Sequence, residues 1–285
     1  MLPVVLLFLQ LGEHQAAVTA YKHHQFAEAV AHFTEALKSE KPGTAEYNES
    51  VLLLGQTLYL QSKFAEAIPW LEKAAAGKET TPEAAYMLGN ACIRTQQPEK
   101  AVAAFARLFH VEPDTAAAHL TTARMMLHLD VDVEAVKQAQ AALKLDPRIP
   151  EAHFLLGEVA ITHGEIENAI AELNQEIVIN PGFAMAHYRL GDAYSRREDW
   201  DQAMAPLERS VWLNPNFSGP FILLGKGYLK RKELANAEGV LRHALQLDPQ
   251  NSSAHYLLGQ TLMQEGRAEE AKQEMEKWKQ LNGRN

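Results

Sequence analysis

The sequence predicts an all-α protein, a right-handed superhelical solenoid built of helix-turn-helix repeats. Two observations carry this prediction: small residues recur at one position every 34 residues, and prolines in the same phase end most of the units. A fixed period of roughly 20–50 residues is typical of repeat architectures, in which each unit is one supersecondary element. The chain of 285 residues is long enough for about eight such units.

A leucine–glycine pair marks the same position in six units, and Ala123 stands at the midpoint of the one double gap. The glycines are Gly55, Gly89, Gly157, Gly191, Gly225 and Gly259. Twelve residues after each small residue comes an alanine: Ala67, Ala101, Ala135, Ala169, Ala203, Ala237 and Ala271. Three columns that keep one phase along the chain indicate a true repeat.

Each unit is predicted to form two helices, and the unit "AHYRLGDAYSRREDWDQAMAPLERSVWLNP" illustrates why. Its helices are expected at about 184–197 and 200–213, because "REDW" suits a turn and proline cannot continue a helix. A glycine inside a helix costs about 1 kcal/mol relative to alanine. We expect close helix packing to offset this cost, with Gly191 facing Ala203 where the two helices cross.

These columns resemble the tetratricopeptide repeat family, whose signature is small-residue and proline positions at a 34-residue period. The "HYRLGDAY" style of the first helices is similar to that of bacterial members. The resemblance covers residues 10–285 and follows an apolar segment at residues 1–9. It predicts eight repeats, with a four-residue insertion after the first, at 10–43, 48–81, 82–115, 116–149, 150–183, 184–217, 218–251 and 252–285.

The fourth repeat departs most from the pattern. Ala123 replaces the glycine, Thr122 replaces the leucine, and Asp132 stands where the next two repeats have Ile166 and Trp200. The stability of a repeat array is approximately a sum of terms for each repeat and its neighbours. We therefore predict that Met125 to Val136 is the first segment to open.

The apolar N-terminal segment "LPVVLLFLQL" is too short to span a bilayer, which requires about 20 residues. Its length suits the apolar region of a secretory signal, although no Lys or Arg precedes it. Three interpretations remain open: a signal remnant, an extension of the first helix, or a short anchor at a membrane surface. A signal remnant would place the protein in a bacterial periplasm or envelope; otherwise we expect a cytoplasmic protein without a transmembrane span.

Composition and motifs argue against several function classes. A net charge of −9 argues against binding to nucleic acid. The sequence contains no H-E-x-x-H, C-x-x-C, G-x-S-x-G or phosphate-loop motif, so we predict no enzyme, cofactor or metal. Four histidines recur one per repeat, too far apart to converge on one ion, and are predicted to pack between helices. They are His119, His153, His187 and His255.

The resemblance implies a function in protein binding, because the first helices of such repeats line a concave groove that holds peptides or partner domains. Three repeated positions lie on one face of these helices: three residues before the small residue, and one and five residues after it. They share a face because residues four apart are neighbours on a helix. The candidate groove residues are Tyr86, Asn90, Arg94, Arg124, Phe154, Tyr188, Arg196, Lys226, Lys230 and Tyr256. Their basic side chains outnumber the acids Glu158 and Asp192, which predicts a protein or peptide partner of acidic character.

Some family members clamp the terminal carboxylate of a peptide with lysine and asparagine side chains. Asn90 matches one such position, but Tyr86 and Arg124 replace the other expected residues, which argues against a tail clamp. Two alternatives to a binding groove remain open. In the first, the helix faces are simply solvated and the tyrosines are half-packed between neighbouring helices. In the second, the array associates with itself as a spacer or assembly platform, of unassigned oligomeric state.

Overall fold

The computed structural model describes residues 2–76 and 81–283, with side chains described from Gly12 onward. Within these ranges the chain forms sixteen α-helices and no strand. They are α1 (Leu2–Lys22), α2 (Phe26–Ala36), α3 (Ala45–Leu60), α4 (Phe64–Ala75), α5 (Pro82–Arg94), α6 (Pro98–Leu108), α7 (Ala116–Leu127), α8 (Asp132–Leu145), α9 (Ala152–Thr162), α10 (Ile166–Ile179), α11 (Ala184–Arg196), α12 (Trp200–Leu213), α13 (Ser218–Lys230), α14 (Leu234–Leu247), α15 (Ser252–Gln264) and α16 (Ala268–Asn282).

The helices form two compact units, Met1–Pro147 and Arg148–Asn285, called here the first and the second unit. In each unit the helices pack in consecutive pairs, each made of a first and a second helix. The all-α repeat fold is therefore as predicted, and α11 and α12 end within one residue of the expected positions. Searched over the described residues, the chain contains no helix long and apolar enough to cross a membrane.

The turn between the two helices of a pair follows one geometry in all eight pairs. One residue takes a positive φ, and the amide of the next residue bonds back to a carbonyl five residues earlier. In "REDW", Glu198 has φ 59° and the Asp199 amide donates to the Tyr194 carbonyl at 3.0 Å. This left-handed turn satisfies a carbonyl at the helix end, as glycine does in other proteins. Only two of the eight residues at this positive-φ position are glycines, Gly164 and Gly266. The sequence therefore shows no repeated glycine that would reveal the turn.

The glycine column lies at the crossing of the two helices, but its main neighbour is not the predicted one. A Cβ atom on Gly191 would lie 2.5 Å from Cγ of Leu207, whereas the Ala203 carbonyl oxygen would be 3.4 Å away. Leu207 is fully buried. Ala203 therefore does lie beside Gly191 at the crossing, but the glycine mainly makes room for a large side chain sixteen residues later. The other pairs are Gly55–Leu71, Gly89–Phe105, Gly157–Leu173, Gly225–Leu241 and Gly259–Met275.

In the fourth repeat, both residues at this crossing differ in size from those of the other repeats. Ala123 takes the place of glycine, and Ala139, sixteen residues later, takes the place of leucine; both are fully buried. A larger residue on α7 is thus matched by a smaller one on α8. The repeat departs from the pattern without the overpacking that an alanine opposite leucine would cause.

A cavity of about 540 Å³ lies beside this repeat, lined by residues that include Ile93, Met126, Val131 and Glu134. Because the backbone beside this partly open pocket has few packed neighbours, amide hydrogen exchange across Met125–Val136 is expected to be faster than around Gly191. Native-state exchange read by mass spectrometry checks this prediction. Equal or slower exchange in the segment would contradict it.

The N-terminal helix is joined to α3 by a buried polar cluster. Nδ1 of His14 lies 2.9 Å from the Ser50 hydroxyl and 3.1 Å from Oε1 of Glu40, and Nε2 lies 3.3 Å from Glu49. Ser50 also donates to Glu40 at 2.9 Å. Glu40 precedes the four-residue insertion predicted after the first repeat, so the chain around that insertion contributes a buried carboxylate.

Helix α9 begins later than its counterparts, and a carboxylate from the next helix closes its start. Pro150 stands where α11 has Ala184, and Glu151 before the helix has φ 72°. Both carboxylate oxygens of Glu176, a fully buried residue of α10, accept from the Glu151 amide at 2.9 Å. The Phe154 amide donates to the same carboxylate at 3.3 Å. Glu176 therefore satisfies amides that a helix start leaves unpaired.

The phased histidines are predicted to pack between helices, and three of the four bond to a residue of the second helix of the same repeat. Nδ1 of His153 lies 2.6 Å from Glu172, nineteen residues later, and His119 and Gln138 repeat this pairing at 2.7 Å. His187 has Pro206 at the equivalent position and bonds instead to the Pro181 carbonyl, while burial lowers its pKa. Each histidine thus has its own partner, which is a structural role.

Acid is expected to destabilise the last two repeats. Hydrogen bonds from Arg267 hold the pKa of Glu238 and Glu270 below the ordinary value of 4.5. Burial raises the pKa of Glu274, but bonds from His255 and Lys277 outweigh it and lower the pKa overall. A lowered folded-state pKa gives stability that is present above the ordinary pKa and lost as pH falls through the lower value.

We therefore expect the melting temperature to fall as the pH decreases below about 4.5, with exchange in α14–α16 accelerating before exchange in α9–α12. Calorimetry and hydrogen exchange over this range check the prediction. Arg267→Gln should flatten the dependence, because it removes the donor that lowers two of these pKa values. Unchanged exchange in α14–α16 below that pH would contradict the prediction.

Candidate functional site

Aromatic residues occupy one position on three of the four first helices of the second unit, and the fourth helix, α13, has Ile222 there. Phe154 of α9 packs edge-on against Phe183 with ring centres 4.8 Å apart, and Tyr188 of α11 packs the same way against Phe217 at 4.9 Å. Burial raises the pKa of Tyr188, and the nearby Asp192 raises it further. These rings are held in place while part of each remains exposed, which suits them as apolar anchors.

Two of these partners were not found by sequence reasoning. Phe183 and Phe217 directly precede α11 and α13, whereas α3, α5 and α7 are preceded by threonine, α9 by glutamate and α15 by asparagine. Each phenylalanine comes two residues after one of the repeated prolines, Pro181 and Pro215. This shared spacing was the sequence signal that could have identified them. The third aromatic residue, Tyr256, is exposed and packs on Trp278 of α16 at 5.1 Å.

The acidic residues of this face are paired with arginines. Nε of Arg189 donates to Glu158 at 2.9 Å, and Nε of Arg196 lies 3.3 Å from Asp192. Arg189 was missed because five of the six equivalent positions hold Leu or Met, and the sixth holds Thr121. Both acids expected in the groove are thus balanced by arginine charges within the unit.

Two lysines on α13 leave a surplus of positive charge. Nζ of Lys226 lies 5.3 Å from the centre of the Trp200 ring, a cation–π contact that leaves its charge uncompensated. Lys230, one turn later, is exposed and has no acidic partner among the residues that the structure describes. We call Arg196, Lys226 and Lys230 the basic face; it lies on two neighbouring first helices, beside Tyr188.

The first unit presents a smaller set of the predicted residues. Tyr86 is 41% exposed, and Arg94 and Arg124 are also exposed. Asn90 is a correction to the predicted groove: it is only 2% exposed, because its carboxamide packs inside the unit and donates to the Tyr59 hydroxyl at 3.4 Å. Asn90 therefore does not contribute to an exposed surface.

The single cysteine offers no reactive group. Cys92 is fully buried in α5, and burial raises the pKa of its thiol to about 11. A thiolate is the nucleophilic form of cysteine, so this side chain stays protonated and unreactive near neutral pH.

Four family models match separate parts of the sequence. The model for "Anaphase-promoting complex, cyclosome, subunit 3" matches residues 22–108. Three models described as "Tetratricopeptide repeat" match residues 134–182, 185–216 and 228–283. Comparison with curated proteins finds no match.

Solved structures share the fold at low sequence identity. The chain is similar to PilF of Pseudomonas aeruginosa with a TM-score of 0.57 and 19% identity, over 70% of this chain and 91% of that one. It is similar to MamA of Desulfovibrio magneticus RS-1 (0.55, 21%), over 60% of this chain and 97% of that one. It is also similar to a chain of the APC/C hetero-tetramer Cut9–Hcn1 (0.52, 18%), over 83% and 52% respectively.

Proposed function

Because the chain belongs to the tetratricopeptide repeat family, a family of protein–protein interaction scaffolds, we propose that it binds a protein segment of acidic character in the groove of its second unit. The occupant lies along the first helices α11 and α13. No catalytic role is part of the proposal.

The basic face beside Tyr188 is the observation that carries the proposal. Glu158 and Asp192 are already paired with arginines, so Lys226 and Lys230 remain available to an acidic ligand. The Phe154 and Tyr188 rings add apolar surface that is ordered before the ligand arrives. Preorganised aromatic anchors lower the entropic cost of binding, and tyrosine and arginine are enriched among interface hot spots.

In the first unit, Tyr86, Arg94 and Arg124 form a corresponding set on α5 and α7. We assign them a weaker contribution, because Asn90 between them is buried and carries no contact to a ligand. The segment that the second unit selects is expected to combine carboxylates, for the basic face, with one or two large apolar side chains for Tyr188 and Phe154.

A displayed library of random peptides, selected on the full-length protein, tests this specificity. The enriched peptides should be rich in Asp and Glu and contain apolar residues. Reversing two charges with Lys226→Glu/Lys230→Glu should weaken their binding at least about tenfold, which corresponds to about 1.4 kcal/mol. The effect should shrink at high salt, because exposed charges are screened.

The matched control is Lys272→Glu/Lys279→Glu, which changes the net charge equally on α16, away from the basic face. This variant should bind the selected peptides like the wild type. Enrichment of peptides without acidic residues, or equal losses in both variants, would contradict the proposal.

A further inference from the structure

The outer ridge of three second helices is almost free of charge. It consists of four positions on each helix, on the side opposite the buried stripe: Asn168, Ala171, Gln175 and Val178 on α10; Gln202, Ala205, Arg209 and Trp212 on α12; Asn236, Gly239, His243 and Gln246 on α14. At the same four positions every other second helix has at least two charged residues. In a chain with a net charge of −9, this ridge carries one charged residue, the positive Arg209.

The ridge also exposes large apolar side chains. Val178 is 75% exposed and Trp212 is 70% exposed, at equivalent positions of neighbouring repeats. Arg209 stacks on Trp212 at 4.2 Å from the ring centre and has no acidic partner among the described residues. Tryptophan and arginine together are the residue types that most often dominate interface energies.

We propose that the outer ridge is a self-association surface, on which α12 packs antiparallel to α12 of a second copy across Ala205. This surface is separate from the basic face and does not depend on the proposed ligand. A two-fold interface uses one patch on both copies, so the patch must be complementary to itself.

The choice of a second copy follows from charge. Two copies with a net charge of −9 repel each other, and the twelve ridge positions themselves carry no acidic residue, while the acids exposed beside them on α12 are Asp201 and Glu208. The centre of the ridge also suits close approach, because Ala205 is flanked by Ala171 and Gly239 at the equivalent positions. Small residues at a crossing allow helix axes to approach to about 8 Å.

The antiparallel register pairs opposite charges. Arg209 lies four residues after Ala205 and Asp201 lies four residues before it, so a two-fold axis at Ala205 places each opposite the other in the second copy. The Asp201 side chain is 88% exposed and its only acid–base partner among the described residues is Arg231, at 3.5 Å. Each dimer would gain two Arg209–Asp201 pairs.

Sedimentation equilibrium of the full-length protein tests the proposal. We expect a dimer at about 100 µM, well above a micromolar dissociation constant. Ala205→Glu, which brings two carboxylates together at the axis, should give a monomer with unchanged circular dichroism. The matched control is Ala103→Glu, at the same exposed position of the third repeat, which should remain dimeric.

A charge exchange tests the register. Arg209→Asp alone and Asp201→Arg alone should each weaken the dimer, and the double variant Asp201→Arg/Arg209→Asp should restore it. A wild type that stays monomeric, a dimer that survives Ala205→Glu, or a double variant that stays dissociated would each overturn the proposal.

Discussion

Gly191→Ala is expected to destabilise the second unit even though alanine is the better helix former. The new methyl group would lie 2.5 Å from Cγ of the fully buried Leu207, so side chains or helices must shift. Overpacking of this kind costs about 1–3 kcal/mol, against about 1 kcal/mol gained from helix propensity. Denaturant unfolding monitored by circular dichroism and by hydrogen exchange in α11 measures the difference.

The sign of this effect should reverse when Leu207 is shortened. Leu207→Ala alone is expected to cost about 2–5 kcal/mol through lost burial and a cavity. In that background Gly191→Ala should stabilise, because the pair then matches Ala123 and Ala139 of the fourth repeat. Gly239→Ala is the control: nothing lies within 4 Å of its added Cβ, so it should stabilise by about 0.5–1 kcal/mol. Additive effects of the two substitutions would contradict the packing explanation.

Glu176→Ala, which removes a fully buried carboxylate, is expected to destabilise the second unit. It removes the acceptor of the Glu151 and Phe154 amides at the start of α9. A buried amide left unpaired costs about 1–3 kcal/mol, and hydrogen bonds to a charged group are at the upper end. Urea unfolding should therefore show a loss of about 3 kcal/mol, with faster amide exchange at the start of α9.

Glu172→Gln is the matched control on the same helix. Its carboxylate is partly exposed and bonds to His153, and a carboxamide can keep that bond, so a loss below about 1 kcal/mol is expected. If Glu176→Ala cost no more than this control, the carboxylate would not be closing the helix start.

The repeat register was predictable because it depends on residue types with few substitutes. Small residues at helix crossings and prolines after second helices kept their phase, so the helices of "AHYRLGDAYSRREDWDQAMAPLERSVWLNP" ended where expected. The partner of the glycine was not predictable in the same way. Leu207 is one leucine among many, and only the crossing geometry distinguishes it from Ala203 as the main neighbour of Gly191.

The candidate site was predictable only as a set of columns. A repeated position in the sequence indicates on which side of a helix a residue lies. It does not indicate which neighbouring side chains cover that residue. Asn90 and Lys226 stand in the same column, yet Asn90 is buried against Tyr59 while Lys226 lies over Trp200. The pairing of Arg189 with Glu158 connects two repeats and has no signature within either one.

Comparative affinity capture from the native host's lysate distinguishes an acidic ligand in the groove of the second unit from binding elsewhere on the protein. The wild type, Tyr188→Ala/Lys226→Glu/Lys230→Glu and Ala205→Glu are compared, with retained proteins identified by mass spectrometry. We expect a protein that binds the wild type and Ala205→Glu but not the groove variant, and that contains an acidic segment able to compete for binding as a peptide. Identical sets of proteins from the wild type and the groove variant would contradict it.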